Sequence, residues 1–301
     1  MKHSCDAVIG GGDLSDLSFE QQLSGKYATL SAKLKEAADF VVSNPVDVAT
    51  RSLRTISKDA KLAPATFSRM SSALGFTSYE ELRDLLRLEI QHRPGSFSRG
   101  VEALQQSHDE GDPDFIALHT NACASNLQAL TGQIDKARLD ACVDQLYQAR
   151  RVLVTGALGS TGVAEYLTYM ASFLFDNWAM ASRMGASLAS GLVGLSTNDA
   201  LIVITKPPFA SKSINAAKEA FDAGAYVVVI TDTHTCPALA YATDSFIVPT
   251  QSPHFFSSYT TTLVLCEILI GKLAAISGTS ARHRIAEVEN KNRRLSEVWD
   301  G

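Results

Sequence analysis

Apolar positions in the first ninety residues recur at steps of three and four. Leu30, Leu34, Ala37, Ala38, Val41 and Val42 follow that spacing, which puts them on one face of a helix. Asn44-Pro45 ends this helix, because the residue before a proline is pushed out of helical geometry. A short turn of helix is predicted over 46–50, then two short helices over 53–61 and 64–73. Pro64 stands in a first turn, where its missing N–H costs nothing, and Gly75 stands where a helix terminates. Ser78-Tyr79-Glu80-Glu81 has the pattern of a capping box and opens a helix over 78–90. Between His92 and Pro113 the pattern fades into Pro94, Gly95, Ser96, Ser98 and Gly100, then an acid- and glycine-bearing run over 107–112. That stretch reads as a linker over 93–113 with a helical turn near 101–105. Two helices are predicted beyond it, over 114–130 and 135–149.

From Arg151 the rhythm changes. Apolar, β-branched runs over 152–155, 178–181, 201–205, 226–231 and 245–248 alternate with amphipathic segments. The predicted helices run to about residue 175, to 194, over 211–223, briefly near 238, and over 257–276. Continuous apolar strands alternating with helices mean a parallel sheet covered on both faces. The expected fold is therefore an all-α N-terminal domain over 19–92, followed by a doubly wound α/β domain over 114–280 with a five-stranded parallel sheet. A charged helix over 281–301 closes the chain, and its 282–299 part is free to pack on the body or on another subunit. Residues 1–18 read as a disordered leader, since 1–12 have neither a basic nor an apolar region of signal-peptide type. There is no internal repeat.

Composition narrows the classes. The chain has 301 residues, 46% hydrophobic and 20% charged, which is the usage of a globular protein rather than a disordered one. Its longest apolar stretch, Thr260–Ile276, is broken by Glu267, Gly271 and Lys272, so no span of a bilayer is predicted. Five scattered cysteines without CxxC spacing exclude a disulfide framework or zinc site and fit a reducing cytoplasm. The net charge of −5 excludes wholesale coating of nucleic acid. It hides an asymmetry, however: residues 51–76 carry Arg51, Arg54, Lys58, Lys61 and Arg69 against the single acid Asp59. Such a patch is either a solvated helix surface or the footprint of a DNA-reading module.

The stretch 54–76 reads as helix, tight turn, helix. Ala60 is small where two helices cross, and Ile56, Leu62, Phe67, Met70 and Leu74 form a shared core. Ala65, Thr66, Ser68, Arg69 and Ser72 are left outward. A recognition helix needs that set: small residues to enter the major groove, hydroxyls for phosphates, and an arginine able to fork onto guanine. Arg51 and Arg54 are placed to hold backbone phosphates. The run over 64–83 closely resembles the recognition-helix signature of the RpiR (MurR/RpiR) family of regulators. Ala65, Thr66, Arg69, Leu74, Gly75, Phe76, Tyr79 and Leu82 fill its places. Ala63 departs from it, standing where a capping serine is common, at a cost of about 1 kcal/mol.

That resemblance implies a C-terminal sugar isomerase (SIS) domain and matches the second half of the chain in order. The first strand runs into Gly156-Ala-Leu-Gly-Ser160-Thr161, similar to the family's G-x-G-x-S loop, in which hydroxyls at a helix N-terminus hold phosphate. Leu158 replaces the second glycine. The motif is not G-x-G-x-x-G, so a nicotinamide cofactor is rejected. The family's second loop, S-x-S-G-x-T, is here Thr205-Lys-Pro-Pro-Phe-Ala-Ser211. Thr205 and Ser211 match its ends, Pro207 and Pro208 remove two N–H donors, and Lys206 offers a charge instead. The loop reads either as an altered anion site or as packing only. In the loop over 249–258, Ser257 and Ser258 are placed to cap the last long helix and reach a ligand. His254 there is a loop hydrogen-bonder or a ligand contact, and His234 caps a turn.

The resemblance thus implies a cytoplasmic homodimer or homotetramer that binds double-stranded operator DNA and a small effector of the sugar-phosphate class, with no catalytic residue, metal or cofactor. The alternative is a sugar-phosphate isomerase, for which Glu165, Glu267 or His254 would supply the base.

Overall fold

The computed structural model describes residues 19–91, 97–109, 114–182 and 186–299, so the leader expected over 1–18 lies outside the described residues. The chain divides into two units, residues 1–93 and 94–301.

The first unit is helical: α1 (Phe19–Lys26), α2 (Ala32–Ser43), α3 (Pro45–Thr50), α4 (Leu53–Asp59), α5 (Pro64–Leu74) and α6 (Tyr79–Gln91). Ala37, Ala38 and Val41 of α2 meet Ile56, Phe67, Met70, Leu74, Leu82 and Leu86 in one buried core. Phe67 sits at its centre, edge-on to Phe40 and Tyr79 with ring centroids 6.2 and 6.0 Å away. The ends follow the local chemistry. Pro45 and Pro64 occupy the first turns of α3 and α5. The Ser52 hydroxyl accepts the Thr55 N–H at the start of α4, and Gly75 closes α5 with a φ of 101°. Ahead of α6, Ser78 Oγ accepts the Glu81 N–H, while the Glu81 carboxylate accepts the Thr77 N–H and hydroxyl. Arg83 and Arg87 of α6 donate to the carbonyls of Val48 and Ala49, capping the end of α3.

The second unit opens with α7 (Phe97–Asp109), α8 (Phe115–Gln133) and α9 (Lys136–Gln148). The expected linker over 93–113, with only a helical turn at 101–105, is therefore largely a thirteen-residue helix among the described residues. Contacts distant in sequence hold it: Phe97 stacks on Phe256 at 4.3 Å, and Gly100 lies so close to Phe255 that a Cβ there would sit 2.8 Å from that side chain.

The α/β layer follows: β1 (Arg151–Gly156), α10 (Thr161–Leu174), β2 (Trp178–Met180), α11 (Leu188–Leu192), β3 (Asp199–Ile204), α12 (Ser211–Asp222), β4 (Tyr226–Thr231), β5 (Asp244–Ile247), α13 (Thr260–Ile276) and α14 (Gly278–Arg294). The five strands are parallel in the order β2-β1-β3-β4-β5. Side chains alternate across the sheet. Val152, Val154, Ile202, Val228 and Ile230 face α9, α10 and α13. Leu153, Leu201, Val203, Val227 and Val229 face α12, which lies on the sheet through Ala216, Ala217 and Ala220.

Two boundaries differ from expectation. The long helix starts at Thr260 rather than 257, because the Ser258 N–H is taken by Thr250 O and the Ser258 hydroxyl accepts the Thr260 N–H. The last helix spans Gly278–Arg294 rather than 282–299, and Ser296 just past it has a φ of 55°. No single described helix is long and apolar enough to cross a membrane; α13 and α14 pass that test together only as a pair bent by 114°.

Candidate functional site

In the helical unit, α4 and α5 are joined by a turn in which Lys61 takes a φ of 54° and the Leu62 N–H reaches Ser57 O at 3.0 Å. Phe67, Met70, Ser71 and Leu74 are the buried stripe of α5. The opposite stripe is presented outward: Ala65, Ser68, Arg69 and Ser72 are exposed, with Thr66 partly so. The Ser68 hydroxyl leans back to Pro64 O at 3.5 Å. Arg54 is exposed beside this helix pair. Arg51 differs, its guanidinium paired with Asp59 at 2.8 Å and Asp47 at 3.4 Å. Exposed pairs of this kind are worth under about 1 kcal/mol, so Arg51 can exchange them for a phosphate at small cost. No side chain caps α5 at Ala63.

In the α/β unit, the strand order reverses direction between β1 and β3, and the carboxyl ends of those strands flank the crevice where such sheets take ligands. Gly156 ends β1, and a Cβ there would lie 2.5 Å from Ser160 O, so only glycine allows the turn. Leu158 follows with a φ of 55°: the place of the missing second glycine keeps the left-handed backbone that glycine prefers. Ser160 is buried, and its hydroxyl pairs with the Tyr259 hydroxyl at 2.9 Å. Thr161 is the first residue of α10.

Thr205 and Lys206 leave the end of β3 inward and are 3% and 5% exposed. The Lys206 ammonium donates to Ser258 O at 2.9 Å and stands 3.9 Å over the Tyr259 ring. Burial lowers its pKa from 10.5 to about 8, while the Asp232 charge works the other way. Asp232, one residue past β4, has its pKa raised by burial against the pull of Lys206, and its Oδ2 accepts the Thr250 hydroxyl at 2.9 Å. Asp232 Oδ1 is buried without a hydrogen-bond partner among the described residues. Ser257 stands beside Asp232, and Ser258 is buried with its hydroxyl on Thr260.

The structure thus gathers Gly156, Ser160, Thr205, Lys206, Ser257 and Ser258 around the strand ends. Ser211 lies at the exposed start of α12. His254 is exposed in its loop, its Nδ1 accepting the Phe256 N–H at 3.1 Å and its ring stacked on Phe255. That is the loop hydrogen-bonding arrangement. Glu165 and Glu267 are exposed, and Glu267 accepts the Tyr166 hydroxyl at 3.1 Å. Asp232 and Tyr259 were not anticipated. The position of Asp232 just beyond an apolar strand was a usable signal; for Tyr259, at a helix start, there was none. Among the described residues no group of three or more His, Cys, Asp or Glu side chains is placed to hold a metal ion.

Comparison with known proteins bears on both units. The family model of the SIS domain matches residues 145–272. The chain carries a SIS domain. The helical unit, residues 1–93, precedes that match in the sequence. Among curated relatives, an uncharacterized HTH-type transcriptional regulator of Haemophilus influenzae is 24% identical over 225 residues, 73% of this chain and 76% of that one. The Escherichia coli HTH-type transcriptional regulator YfhH is 23% identical over 68% of this chain and 72% of its own. The Vibrio vulnificus NanR protein, solved with ManNAc-6P, matches in fold with a TM-score of 0.56 at 18% identity, covering 92% of this chain and 99% of that one. The sugar isomerase domain of an RpiR transcription factor from Sphaerobacter thermophilus has a TM-score of 0.54 at 20% identity, over 58% of this chain and 97% of that one. These curated relatives are named as HTH-type transcriptional regulators.

Proposed function

We propose that the protein is a DNA-binding transcriptional regulator whose SIS domain takes up a small acidic metabolite, a sugar phosphate or related anion, and thereby controls affinity for an operator. The observation that carries this reading is the exposed stripe of α5, Ala65, Thr66, Ser68, Arg69 and Ser72, held on a fully packed helical core. A helix rigidly backed and outwardly small, hydroxylated and basic has what the major groove requires. Arg54 adds a phosphate contact, and Arg51 another once it leaves Asp59. NanR, solved with ManNAc-6P, supports an acidic sugar as the effector class.

The effector is held between the β1 loop (Gly156, Ser160, Thr161) and the β3 and β5 loops (Thr205, Lys206, Ser257, Ser258). The working protein is a cytoplasmic homo-oligomer built through its SIS domains and α14, since one recognition helix reads only a half-site. Effector binding changes the spacing of two such helices, and through it operator affinity.

The test is gel-shift titration with the protein's own promoter fragment. Arg69→Ala should weaken binding at least about tenfold, a bidentate base contact being worth roughly 1–3 kcal/mol, with an unchanged far-UV CD spectrum. An Arg69→Ala protein that binds as well as wild type would overturn the recognition-helix assignment. Turnover of sugar phosphates by a protein that does not shift its promoter would favour the isomerase instead.

A further inference from the structure

Resting on the effector site just proposed, we infer that the effector is a hydroxylated carboxylic acid, a sugar acid, rather than a phosphate ester. The argument is a count of donors and charges. A phosphate dianion presents three oxygens and two negative charges, and buried phosphate sites meet them with backbone N–H groups at a helix N-terminus together with hydroxyls or cations. Here the N–H groups of Ser160 and Thr161 are already turned onto Ala157 O and Leu158 O. The Ser160 and Tyr259 hydroxyls bond to each other, which leaves one O–H between them for a ligand. Pro207 and Pro208 have no N–H to give.

What the strand ends do offer is one buried ammonium. Lys206 spends one of its three N–H bonds on Ser258 O and keeps two. A carboxylate needs about that much: a single charge, with two oxygens that Lys206 and the Ser160–Tyr259 hydroxyl pair can share.

Asp232 decides the matter on the other side. Its charge already faces that of Lys206, so a phosphate would leave the buried site with two uncompensated negative charges where a carboxylate leaves one. Its Oδ1 is buried and makes no direct hydrogen bond among the described residues, although the Ser257 hydroxyl and its own N–H lie near the carboxylate, so a ligand O–H finds an acceptor here. A polyol chain bearing one carboxylate supplies both complements. The carboxylate goes to Lys206 and a hydroxyl goes to Asp232.

Matched probes test this on the full-length protein. D-gluconate and D-galacturonate should raise Tm by about 5–10 °C at concentrations a hundredfold above Kd. Glucose 6-phosphate and galactose 6-phosphate should bind at least about tenfold more weakly by calorimetry. Lys206→Met should abolish the response to the acids. Because that variant leaves Asp232 without its counter-charge, Lys206→Met/Asp232→Asn serves as the folding-safe version and should be equally unresponsive. Asp232→Asn alone should shift selectivity toward the phosphates. Phosphates binding more tightly than acids, with that binding lost in the double variant, would overturn the sugar-acid inference and leave the site standing. No response to either class, or a response that survives the double variant, would overturn the site itself.

Discussion

Lys206→Met offers a measurement whose size follows from the structure. Lys206 is 5% exposed, and burial lowers its pKa from 10.5 to about 8. Folding therefore strips affinity for this proton. Between pH 8 and 10.5 the unfolded chain holds it and the folded chain does not, so stability rises with pH through that window. Below about pH 8 the charged lysine is carried into the core at full cost. The 2.5-unit difference corresponds to about 3 kcal/mol, at 1.36 kcal/mol per unit. Other groups move the opposite way: burial pushes Cys142 and Cys266 up to about 12 and raises Cys236, which favours folding less as pH rises. Subtracting the variant's stability from that of wild type removes them. The chain has two tryptophans, both in the second unit, and Trp178 is buried, so fluorescence in urea reports on the α/β unit. Wild type minus Lys206→Met should rise by about 2 kcal/mol from pH 7.5 to 9.5. Repeated in an Asp232→Asn background, the rise should begin at lower pH, because the charge that holds the proton on Lys206 is gone. A difference that stays flat across this range would refute the argument that a charged lysine is buried at the end of β3.

Three further substitutions probe the frame around these sites. Leu158→Gly relieves a left-handed residue, worth about 1–2 kcal/mol, against the entropy glycine adds to the unfolded chain, about 0.5–1 kcal/mol. The Leu158 side chain is 64% exposed, so little packing is lost and urea unfolding should show a net gain of up to about 1 kcal/mol. Ala63→Ser supplies the missing cap of α5 and should raise the stability of the helical unit by about 1 kcal/mol, read by CD at 222 nm. Phe67→Ala empties the centre of the helical core and should cost about 3–5 kcal/mol, with operator binding lost before Trp178 fluorescence changes.

Where local chemistry decides structure, the sequence was informative. Pro64 and Gly75 marked the ends of α5, Phe67, Met70 and Leu74 marked its buried face, and the apolar runs from Val152 onward gave a five-stranded parallel sheet. It misled where long-range contact decides. Phe97 and Gly100 lie among glycine, serine and proline, yet packing against the loop at Phe255 and Phe256 supports a whole helix there. The start of α13 moved for the same reason, a hydrogen bond from Ser258 to Thr250. At the strand ends, Ser160 and Lys206 were legible because a loop motif frames them. Asp232 was legible only as a residue just past an apolar strand, and that it and Tyr259 join one site depends on β4 and α13 coming to lie beside β3 and the β1 loop.

The alanines under α12 have a mechanical side. On the opposite face of the sheet, long side chains such as Leu167, Leu265 and Leu269 fill the space and can change rotamer when a helix moves. Ala216, Ala217 and Ala220 have no rotamers to change. Against α12 the adjustable side chains therefore come from the sheet, Leu153 and Leu201, and not from the helix itself.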